Sequence, residues 1–586
     1  MKKLLALIPV LALLAPVTAE AADPFGHACT AQNGVRFCPT ASDAQRVASW
    51  DGVPLDVDVT LPPAGDGPFP TIVMMHGWGG DKGAFLATGT DGDGGSTFHY
   101  NNVYFAQQGY AVVNYSARGF GRSCGKLDSR TSPACDRGWV HLADQRYEAR
   151  DTQYLLGLLV DQSVVKPSAI GVTGISYGGI QSHNLARLRN RIRLPNGSFA
   201  AWRSPGGRSL EIAAAWPRWG TTDLTNALTP NGRFLDFAPV SAAQSRQPLG
   251  VMKQSFTNGL YTLGTLTGFI APEGADPTAD LSAWRAVTDR GEPYGADGQA
   301  AARELTTYHS AAGVRGTPAP LLVQNGWTDD LFPATEALRV YQAFERTKGA
   351  RISYQLGDLG HPRGSNKVGA DRFFNTQGAN FFASHLRGKG RAPAHNSVIA
   401  FTQTCPKDAP AEGPYRARSW ERLHPGRLAL RAPKVQRVDS TGGNPETGKA
   451  FDQILAGDAC TTVPAERAPG TALASAAVRR PVTMLGLPTV RASIRTKGSG
   501  GFLAARLWDV HGGSQMLISR GVYRLADDQR GRIVFQLFGN GWRFRRGHVA
   551  KLELLGADAG FLRTSNNAFS VRVSKLSVVL PTRDQH

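Results

Sequence analysis

Short apolar runs alternate with amphipathic segments over the first two thirds of the chain. The apolar runs, which we predict as buried strands, lie at residues 71–75, 111–115, 169–173, 211–215, 320–324 and 351–356. The segments with helical periodicity lie at residues 102–108, 142–162, 333–345 and 372–386. Strands without polar alternation are covered on both faces. The pattern therefore predicts an α/β fold with a mostly parallel sheet between layers of helices.

Three segments depart from this pattern. Residues 46–61 alternate around an Asp51-Gly52 turn, which predicts a β-hairpin. Residues 216–318 show no strand alternation, and a structureless loop of that length is improbable in a compact domain, so we expect an inserted helical cap. Beyond residue 395 the pattern becomes strand-like, which predicts a β-sandwich or jelly roll. Its clearest strand candidates lie at residues 501–510, 516–520, 532–538, 549–555 and 568–580.

The N-terminus has the features of a secretory signal. Lys2 and Lys3 precede an apolar run at residues 4–14, which is too short to span a bilayer and is followed by Ala19-Glu20-Ala21. We therefore expect a signal peptide at residues 1–21, a secreted protein, and no integral membrane segment after cleavage. A chain of 586 residues holds several domains. The expected domains are a catalytic domain at 22–395, with the cap inserted, and a β domain at 396–586.

Six cysteines agree with export. They fall into sequence-near pairs: Cys29 with Cys38, Cys124 with Cys135, and Cys405 with Cys460. Six cysteines allow 15 connectivities, but nearest-neighbour pairing closes the shortest loops and keeps each bridge within one module. None of the cysteines has zinc-ligand spacing. We predict three disulfides and no metal site.

The chain is strongly basic, with a formal net charge of +19 and a pI near 9.9. Such a charge favours association with anionic cell-surface polymers, lipid head groups or acidic substrates. It does not by itself indicate a nucleic-acid partner. The densest basic-aromatic stretch, residues 542–546, lies between strand patterns and is interpreted as a solvated turn.

The sharpest chemical motif is Gly174-Ile175-Ser176-Tyr177-Gly178-Gly179. It follows the apolar strand at 169–173 and precedes a helical run at 180–188. A strand-to-helix turn this tight needs glycines on both sides of the serine, so that neighbouring backbone can approach while Oγ points outward. The context predicts a nucleophile elbow with Ser176 as the nucleophile.

An acid and a base follow in the order that such hydrolases use. Asp329 comes after one predicted strand and His361 after the next, on a loop bounded by Gly360 and Pro362. We predict His361 as the general base and Asp329 as the carboxylate that orients it. Asp330 is the main alternative for the acid, and Asp358 is a weaker one.

An oxyanion hole requires two donors. The first expected donor is the backbone N–H of Tyr177, directly after the nucleophile. The second is the backbone N–H of Trp78, in a His76-Gly77-Trp78 loop after an earlier strand. His76 is interpreted as structural. The chemistry of these residues requires no metal or organic cofactor.

These motifs resemble the Xaa-Pro dipeptidyl-peptidase and cocaine esterase (CocE/NonD-like) superfamily of α/β-hydrolases. The resemblance rests on the elbow with its Tyr177, on Arg118-Gly119-Phe120-Gly121-Arg122-Ser123, and on Gly326-Trp327-Thr328-Asp329, which favours Asp329 as the acid. Residues 505–510, 519–521 and 546–548 resemble its jelly-roll motifs. The resemblance implies an α/β-hydrolase fold with a helical cap and a C-terminal, galactose-binding-like jelly roll. The sequence departs at Trp78, where cocaine-esterase-like members use a tyrosine hydroxyl as a donor, and at Ser116, where an aspartate is common.

The leading functional hypothesis is a secreted serine hydrolase that cleaves ester or amide bonds of a small molecule or peptide. A strict Xaa-Pro dipeptidyl peptidase is the alternative, and it needs carboxylates that bind the substrate ammonium. The available acids of the cap region are Asp223, Asp236, Glu273 and Asp276. We favour general ester or amide hydrolysis. A third hypothesis is an inactive hydrolase fold that binds a polymer.

Overall fold

The structure is a computed structural model that describes residues 23–91, 97–238, 247–452, 454 and 458–585. The predicted signal peptide lies outside these residues. The described strands are β1 (Thr30–Gln32), β2 (Val35–Cys38), β3 (Val47–Ala48), β4 (Pro54–Leu55), β5 (Val57–Leu61), β6 (Phe69–Met75), β7 (Ala111–Tyr115), β8 (Val165–Ile175), β9 (Arg191–Arg193), β10 (Phe199–Ala201), β11 (Ile212–Arg218), β12 (Leu321–Gly326), β13 (Ile352–Gly357), β14 (Val398–Ala400), β15 (Tyr415–Ala417), β16 (Gly426–Arg431), β17 (Gln436–Asp439), β18 (Thr462–Pro464), β19 (Ala472–Ala477), β20 (Val482–Gly486), β21 (Thr489–Lys497), β22 (Phe502–His511), β23 (Ser514–Arg524), β24 (Arg530–Gln536), β25 (Asn540–Phe544), β26 (Val549–Leu555) and β27 (Ser570–Thr582).

The described α-helices follow the predicted periodicity in most places. They are α1 (Asn102–Gln107), α2 (Glu148–Asp161), α3 (Tyr177–Leu188), α4 (Leu224–Leu228), α5 (Gln254–Thr267), α6 (Leu281–Arg290), α7 (Ala296–Tyr308), α8 (Ala334–Phe344), α9 (Val368–Arg387), α10 (Trp420–Leu423) and α11 (Pro445–Ala450). Helix α2 begins six residues later than its periodicity predicts. Leu142 and Ala143 have left-handed backbone angles, with φ of 55° and 59°, and this interrupts the helix.

The N-terminal sheet has the order β1-β2-β5-β7-β6-β8-β11-β12-β13-β14-β15. The pairs from β7–β6 through β13–β14 are parallel. Residues of β7, β12 and β13 are buried without exception, because helices cover both faces of the sheet. The predicted α/β class is confirmed.

The predicted hairpin at 46–61 is wrong in its extent. Only β3 and β4 pair with each other, across the Asp51-Gly52 turn. Strand β5 instead joins the main sheet between β2 and β7. All five residues of β5 are buried, so the strand is covered on both faces although its sequence alternates.

Four of the described α-helices lie between β11 and β12, where the sequence predicts a helical cap. Helices α4, α5, α6 and α7 occupy this insertion, which we call the cap (residues 219–320); the predicted start at 216 is three residues early, because residues 216–218 still belong to β11. Because the carboxyl ends of parallel strands meet at one edge of the sheet, an insertion after β11 lies beside the predicted catalytic loops.

The C-terminal part is a second, all-antiparallel set of strands with its own apolar core. Strand β27 pairs with β16, β17, β20 and β21 and so connects the two halves of this set. The predicted C-terminal β architecture is confirmed.

The predicted turn at residues 542–546 is wrong in part. Asn540–Phe544 is strand β25, which pairs with β20, and the turn begins only after Phe544. Trp542 is held in place there by donating from Nε1 to Asp509 at 2.8 Å.

The structure contains the three predicted disulfides: Cys29–Cys38, Cys124–Cys135 and Cys405–Cys460. Disulfides persist in oxidising compartments, so the three bridges are consistent with an extracellular location. Among the described residues, no helix combines the length and apolar character that crossing a bilayer requires.

Candidate active site

Ser176 lies at the junction of β8 and α3. Its φ of 58° and ψ of −111° are unusual for a residue with a side chain and indicate a strained turn. A Cβ on Gly178 would lie 2.0 Å from the carbonyl oxygen of Met75, and one on Gly174 would lie 2.5 Å from the same atom. Both glycines are therefore required by the close approach of β6, as the motif predicts.

The structure brings the three predicted catalytic side chains together. His361 Nε2 lies 2.8 Å from Ser176 Oγ, and His361 Nδ1 lies 2.7 Å from Asp329 Oδ2. The Asp329 side chain is fully buried, whereas that of His361 is 15% exposed. Both distances are within hydrogen-bonding range. Ser176, His361 and Asp329 thus form one continuous hydrogen-bonded chain.

Backbone groups fix the Asp329 carboxylate. Its Oδ1 accepts hydrogen bonds from the N–H groups of Leu331 and Phe332 at 3.0 and 2.9 Å, which leaves Oδ2 for His361. Gly360 has a φ of 111°, and a Cβ there would lie 2.3 Å from Asp329 Oδ2. The glycine before the histidine therefore lets the two loops meet.

The two alternative acids point elsewhere. Asp330 is buried and pairs with Arg363 at 2.8 Å and with Arg520 at 3.1 Å. These cations hold the pKa of Asp330 below its ordinary value, against the opposing effect of burial. Asp358 accepts hydrogen bonds from Thr328 Oγ1 and from the backbone of Ser365. The geometry therefore favours Asp329 over both.

The loop after β6 lies against the nucleophile. A Cβ on Gly77 would lie 3.8 Å from the Ser176 Cβ, so the predicted donor Trp78 is on a loop that borders the elbow. Tyr177 is the first residue of α3, and the opening N–H groups of a helix have no partner within it. Trp78 and Tyr177 thus lie on the two segments that border Ser176, and the roles of their N–H groups stay a prediction.

His76 has a structural environment. Its Nε2 accepts a hydrogen bond from the backbone of Ala117 at 2.9 Å, so its Nδ1, 2.7 Å from the Gly77 carbonyl, carries the proton. Burial lowers the pKa of His76, which keeps the ring neutral. The imidazole therefore links two loops at the site.

The motif at residues 118–123 packs against the aromatic side chains beside Ser176. Phe120 packs edge-on against Trp78 and Tyr177, at ring separations of 5.1 and 5.8 Å. Arg118 is fully buried and donates to Asp51 and Asp151. The motif that supports the family resemblance thus holds the aromatic side chains behind the elbow.

The side chain of Tyr177 has a partner that the sequence analysis missed. Its hydroxyl lies 2.9 Å from Oε1 of Glu148, whose carboxyl group also accepts hydrogen bonds from the backbone of His141 and Asp144. Burial raises the pKa of Glu148 to about 7. An isolated glutamate at a helix start gives no sequence signal for this role.

A cavity opens from Ser176 into the cap. Its volume is about 120 Å³. Helices α4, α5 and α6 each contribute one face to its wall, because many of their lining residues are three or four positions apart. The lining residues of these helices are Leu224, Thr225, Leu228, Thr257, Leu260, Tyr261, Leu281, Trp284, Arg285 and Thr288. Most of this surface is apolar. The cavity therefore suits a substrate with an apolar group.

The four acids considered as ammonium anchors do not line this cavity. Asp223 caps α4 and lies 3.6 Å from Arg339, and Asp236 accepts hydrogen bonds from Gln536 and Trp420. Asp276 accepts from Trp139 and Thr278, and Glu273 is exposed. Among the described lining residues there is no aspartate or glutamate.

One group of side chains has the spacing of a metal site. Oxygen and nitrogen atoms of Asp144, Glu304 and His309 lie within 4.8 Å of one another. Arg146 pairs with both acids, and its guanidinium occupies the place that a cation would take. This group is therefore a buried ion-pair network in which the negative charge already has a partner.

Residues 51–191, which include Ser176, match the family model described as X-Pro dipeptidyl-peptidase (S15 family). The predicted family resemblance is confirmed. This match indicates a serine hydrolase. Asp329 and His361 lie beyond the matched segment.

Solved structures share the fold over nearly the whole chain. A CocE/NonD family hydrolase from Staphylococcus aureus is 14% identical, covers 94% of each chain and gives a TM-score of 0.58. An α-amino acid ester hydrolase is 15% identical over 98% of this chain and 100% of its own, with a TM-score of 0.56. An aminopeptidase from a Thaumarchaeota archaeon is 13% identical over 98% and 99%, with a TM-score of 0.57. A comparison with curated proteins finds no match.

Proposed function

We propose that the protein is an exported serine hydrolase that cleaves esters, and related amides, through an acyl-enzyme on Ser176. The observation that carries the proposal is the chain of hydrogen bonds from Ser176 Oγ through His361 to Asp329. Ser176, at one end of these hydrogen bonds, borders a largely apolar cavity. In this proposal Ser176 is the nucleophile, His361 the general base and Asp329 the carboxylate that orients it.

The reaction begins when Ser176 Oγ attacks the substrate carbonyl while His361 Nε2 accepts its proton. Asp329 keeps the Nδ1 proton in place and stabilises the imidazolium. The N–H groups of Tyr177 and Trp78 donate to the developing oxyanion. His361 then protonates the leaving group. The same imidazole next deprotonates a water molecule that attacks the acyl-enzyme carbonyl, and it returns this proton to Ser176 Oγ as the acid leaves. No step requires a metal or an organic cofactor.

The cavity wall favours an esterase over a strict dipeptidyl peptidase. A peptidase that removes N-terminal dipeptides has to compensate the charge of the substrate ammonium, and an uncompensated buried charge is strongly unfavourable. Without an acid in the described lining, the cavity offers that ammonium no partner. An uncharged acyl group avoids this penalty.

Labelling with a fluorophosphonate tests the nucleophile. The probe should modify Ser176 in the wild-type protein, and Ser176→Ala should abolish both labelling and turnover of p-nitrophenyl esters. Loss of one triad member lowers kcat by several orders of magnitude. Ser182 is a matched control, since it is a buried serine of α3 that donates to a backbone carbonyl within its helix. Near-wild-type activity of Ser176→Ala would refute the mechanism.

Acetylation of a peptide substrate separates the esterase from the peptidase. An N-acetylated aminoacyl-proline anilide should react no more slowly than the free amine, and simple acyl esters should react faster than either. A hundredfold lower kcat/KM on acetylation, with poor ester turnover, would instead support the Xaa-Pro dipeptidyl peptidase.

A further inference from the structure

The cavity beside Ser176 contains one cationic side chain on an otherwise uncharged wall. Arg285 lies on the face of α6 that also presents Leu281, Trp284 and Thr288 to the cavity. It is the one charged side chain among the described residues that line this space. The proposed ester hydrolysis does not use it.

The guanidinium of Arg285 has few partners. Its Nη1 donates to Asn258 Oδ1 at 3.1 Å, and its Cζ lies 4.9 Å from the centre of the Tyr261 ring. Its Nε is buried and has no hydrogen-bond partner within the described part of the chain. The ion pairs found among those residues include none with Arg285. A partly buried guanidinium is normally paired with a carboxylate or phosphate.

Two neighbouring hydroxyl groups are also available. The side-chain oxygens of Thr225 and Thr257 line the same cavity, are buried, and have no hydrogen-bond partner among the residues the structure describes. Buried hydroxyls are usually hydrogen-bonded, because leaving one unsatisfied is unfavourable. Both can donate to an anionic oxygen. The cavity thus combines one cation with unused donors and no described acid.

We propose that Arg285 binds a carboxylate of the substrate and makes the enzyme selective for acyl groups that carry one. The inference rests on the proposed ester hydrolysis, because it places this anion in the cavity that opens from Ser176. The apolar surface of α4 and α5 contacts the hydrocarbon part of the acyl group, and the guanidinium contacts its far end. A guanidinium suits a carboxylate, since its planar N–H groups match the two oxygens.

Matched half-esters test the proposal. The substrates are the mono-p-nitrophenyl esters of glutarate and adipate, each compared with the same compound whose free carboxylate is methylated. The wild-type enzyme should hydrolyse at least one free acid with about tenfold higher kcat/KM than its methylated form, measured as p-nitrophenol release above the enzyme-free rate. Arg285→Met should lower kcat/KM for that free acid by about 10- to 100-fold. The same variant should change kcat/KM for the methylated substrate by less than about threefold.

Control variants separate charge from structure. Arg285→Lys keeps the charge but loses the planar donors, so its kcat/KM for the free acid should lie between those of wild type and Arg285→Met. Arg303 is an exposed arginine of α7 that does not line the cavity, so Arg303→Met should leave kcat/KM for both substrates unchanged. Equal losses on free and methylated substrates, or wild-type preference for the methylated compounds, would overturn the proposal.

A second measurement does not depend on the variants folding. Glutarate or adipate should inhibit wild-type turnover of p-nitrophenyl butyrate competitively, and the dimethyl ester of the same acid should inhibit at least tenfold less. Equal inhibition by both would overturn the carboxylate site. Absence of any ester turnover, together with no fluorophosphonate labelling, would overturn the proposed hydrolysis itself. The two proposals therefore fail in different ways.

Discussion

Two adjacent aspartates have different surroundings at the candidate catalytic loop. Asp329 contacts His361 and two backbone N–H groups, whereas Asp330 faces away and is enclosed by two arginines. Neighbouring residues on a tight loop point in opposite directions, so one carboxylate can orient the histidine while the next anchors the loop. The sequence alone favours Asp329 through the family resemblance, and the contacts give a physical reason for the same choice.

Asparagine substitutions should separate these roles. Asp329→Asn should lower kcat by about 10⁴ with little change in KM, because the amide no longer stabilises the imidazolium. Asp330→Asn should lower stability by about 3–5 kcal/mol, since it leaves Arg363 and Arg520 without their carboxylate. Its kcat at low temperature should remain within about tenfold of wild type. Steady-state kinetics and thermal unfolding measure both effects, and a reversed pattern would assign the orienting acid to Asp330.

The elbow between β8 and α3 requires glycine at position 178. Gly178→Ala would force Cβ to within 2.0 Å of the Met75 carbonyl oxygen, so β6 or the elbow has to shift. A displacement of about 1 Å at a nucleophile can lower activity by about 10². We expect at least this loss of kcat/KM and a lower Tm.

Gly369 is the matched control for this substitution. It lies near the start of α9, and a Cβ there would have no atom within 4 Å. Gly369→Ala should preserve activity and raise stability slightly, because alanine loses less entropy in a helix. If both variants kept full activity, the close approach of β6 would not control the position of Ser176.

The start of α2 should make stability depend on pH. Burial raises the pKa of Glu148 from its ordinary 4.5 to about 7, so the folded protein retains a proton that the unfolded chain has lost. The contribution to stability is complete below about pH 4.5 and is lost as the pH rises through about 7. For a pKa that rises from 4.5 to about 7, the loss is on the order of 3 kcal/mol.

Glu148→Gln removes this titration. The variant should show a smaller decrease of Tm between pH 5 and pH 8 than the wild type, whatever its absolute stability. The comparison is between slopes, because glutamine cannot accept every hydrogen bond of the carboxylate from His141 and Asp144. Identical slopes for the two proteins would show that Glu148 does not titrate in this range.

The sequence predicts those elements whose pattern is dominated by burial. The predicted bounds of β7, β12 and β13 lie within two residues of the observed ones, because short, mainly apolar runs are typical of strands that are buried on both faces. Short strands with mixed residues, such as β18 and β25, carry no comparable signal, and the sequence therefore wrongly predicts a turn for the part of β25 after residue 541. Their pairing is decided by tertiary contacts such as that of Trp542 with Asp509.

The same limit applies to the candidate site. Ser176, Asp329 and His361 could be predicted because each is in a short motif with fixed backbone requirements. Their roles remain predictions that the proposed experiments test. The proposed roles of Arg285 and Glu148 could not be predicted from the sequence, because they depend on which groups surround these side chains after folding. A lone arginine in a helix is usually exposed to solvent.

At the scale of the whole molecule, the C-terminal strands contact the loop that holds the proposed acid. Arg520 of β23 lies 3.1 Å from Asp330, and Arg363, just after His361, donates to the backbone of Leu517. Lys253, at the start of α5 in the cap, donates to the carbonyls of Asp330 and Leu331. Segments from the cap, the α/β part and the C-terminal part thus converge on one loop. We infer that the C-terminal strands position this loop.

A double-mutant cycle tests this coupling. Arg520→Met should lower kcat by about tenfold and reduce Tm, since it removes one of the two arginines that pair with Asp330 and loosens the loop that carries Asp329. Combined with Asp330→Asn, it should cost less than the sum of the two single effects, with a coupling energy of at least about 1 kcal/mol in kcat/KM. Arg532→Met, at an exposed position of β24, should change neither quantity. Strictly additive effects would mean that the C-terminal strands do not act on the catalytic loop through this contact.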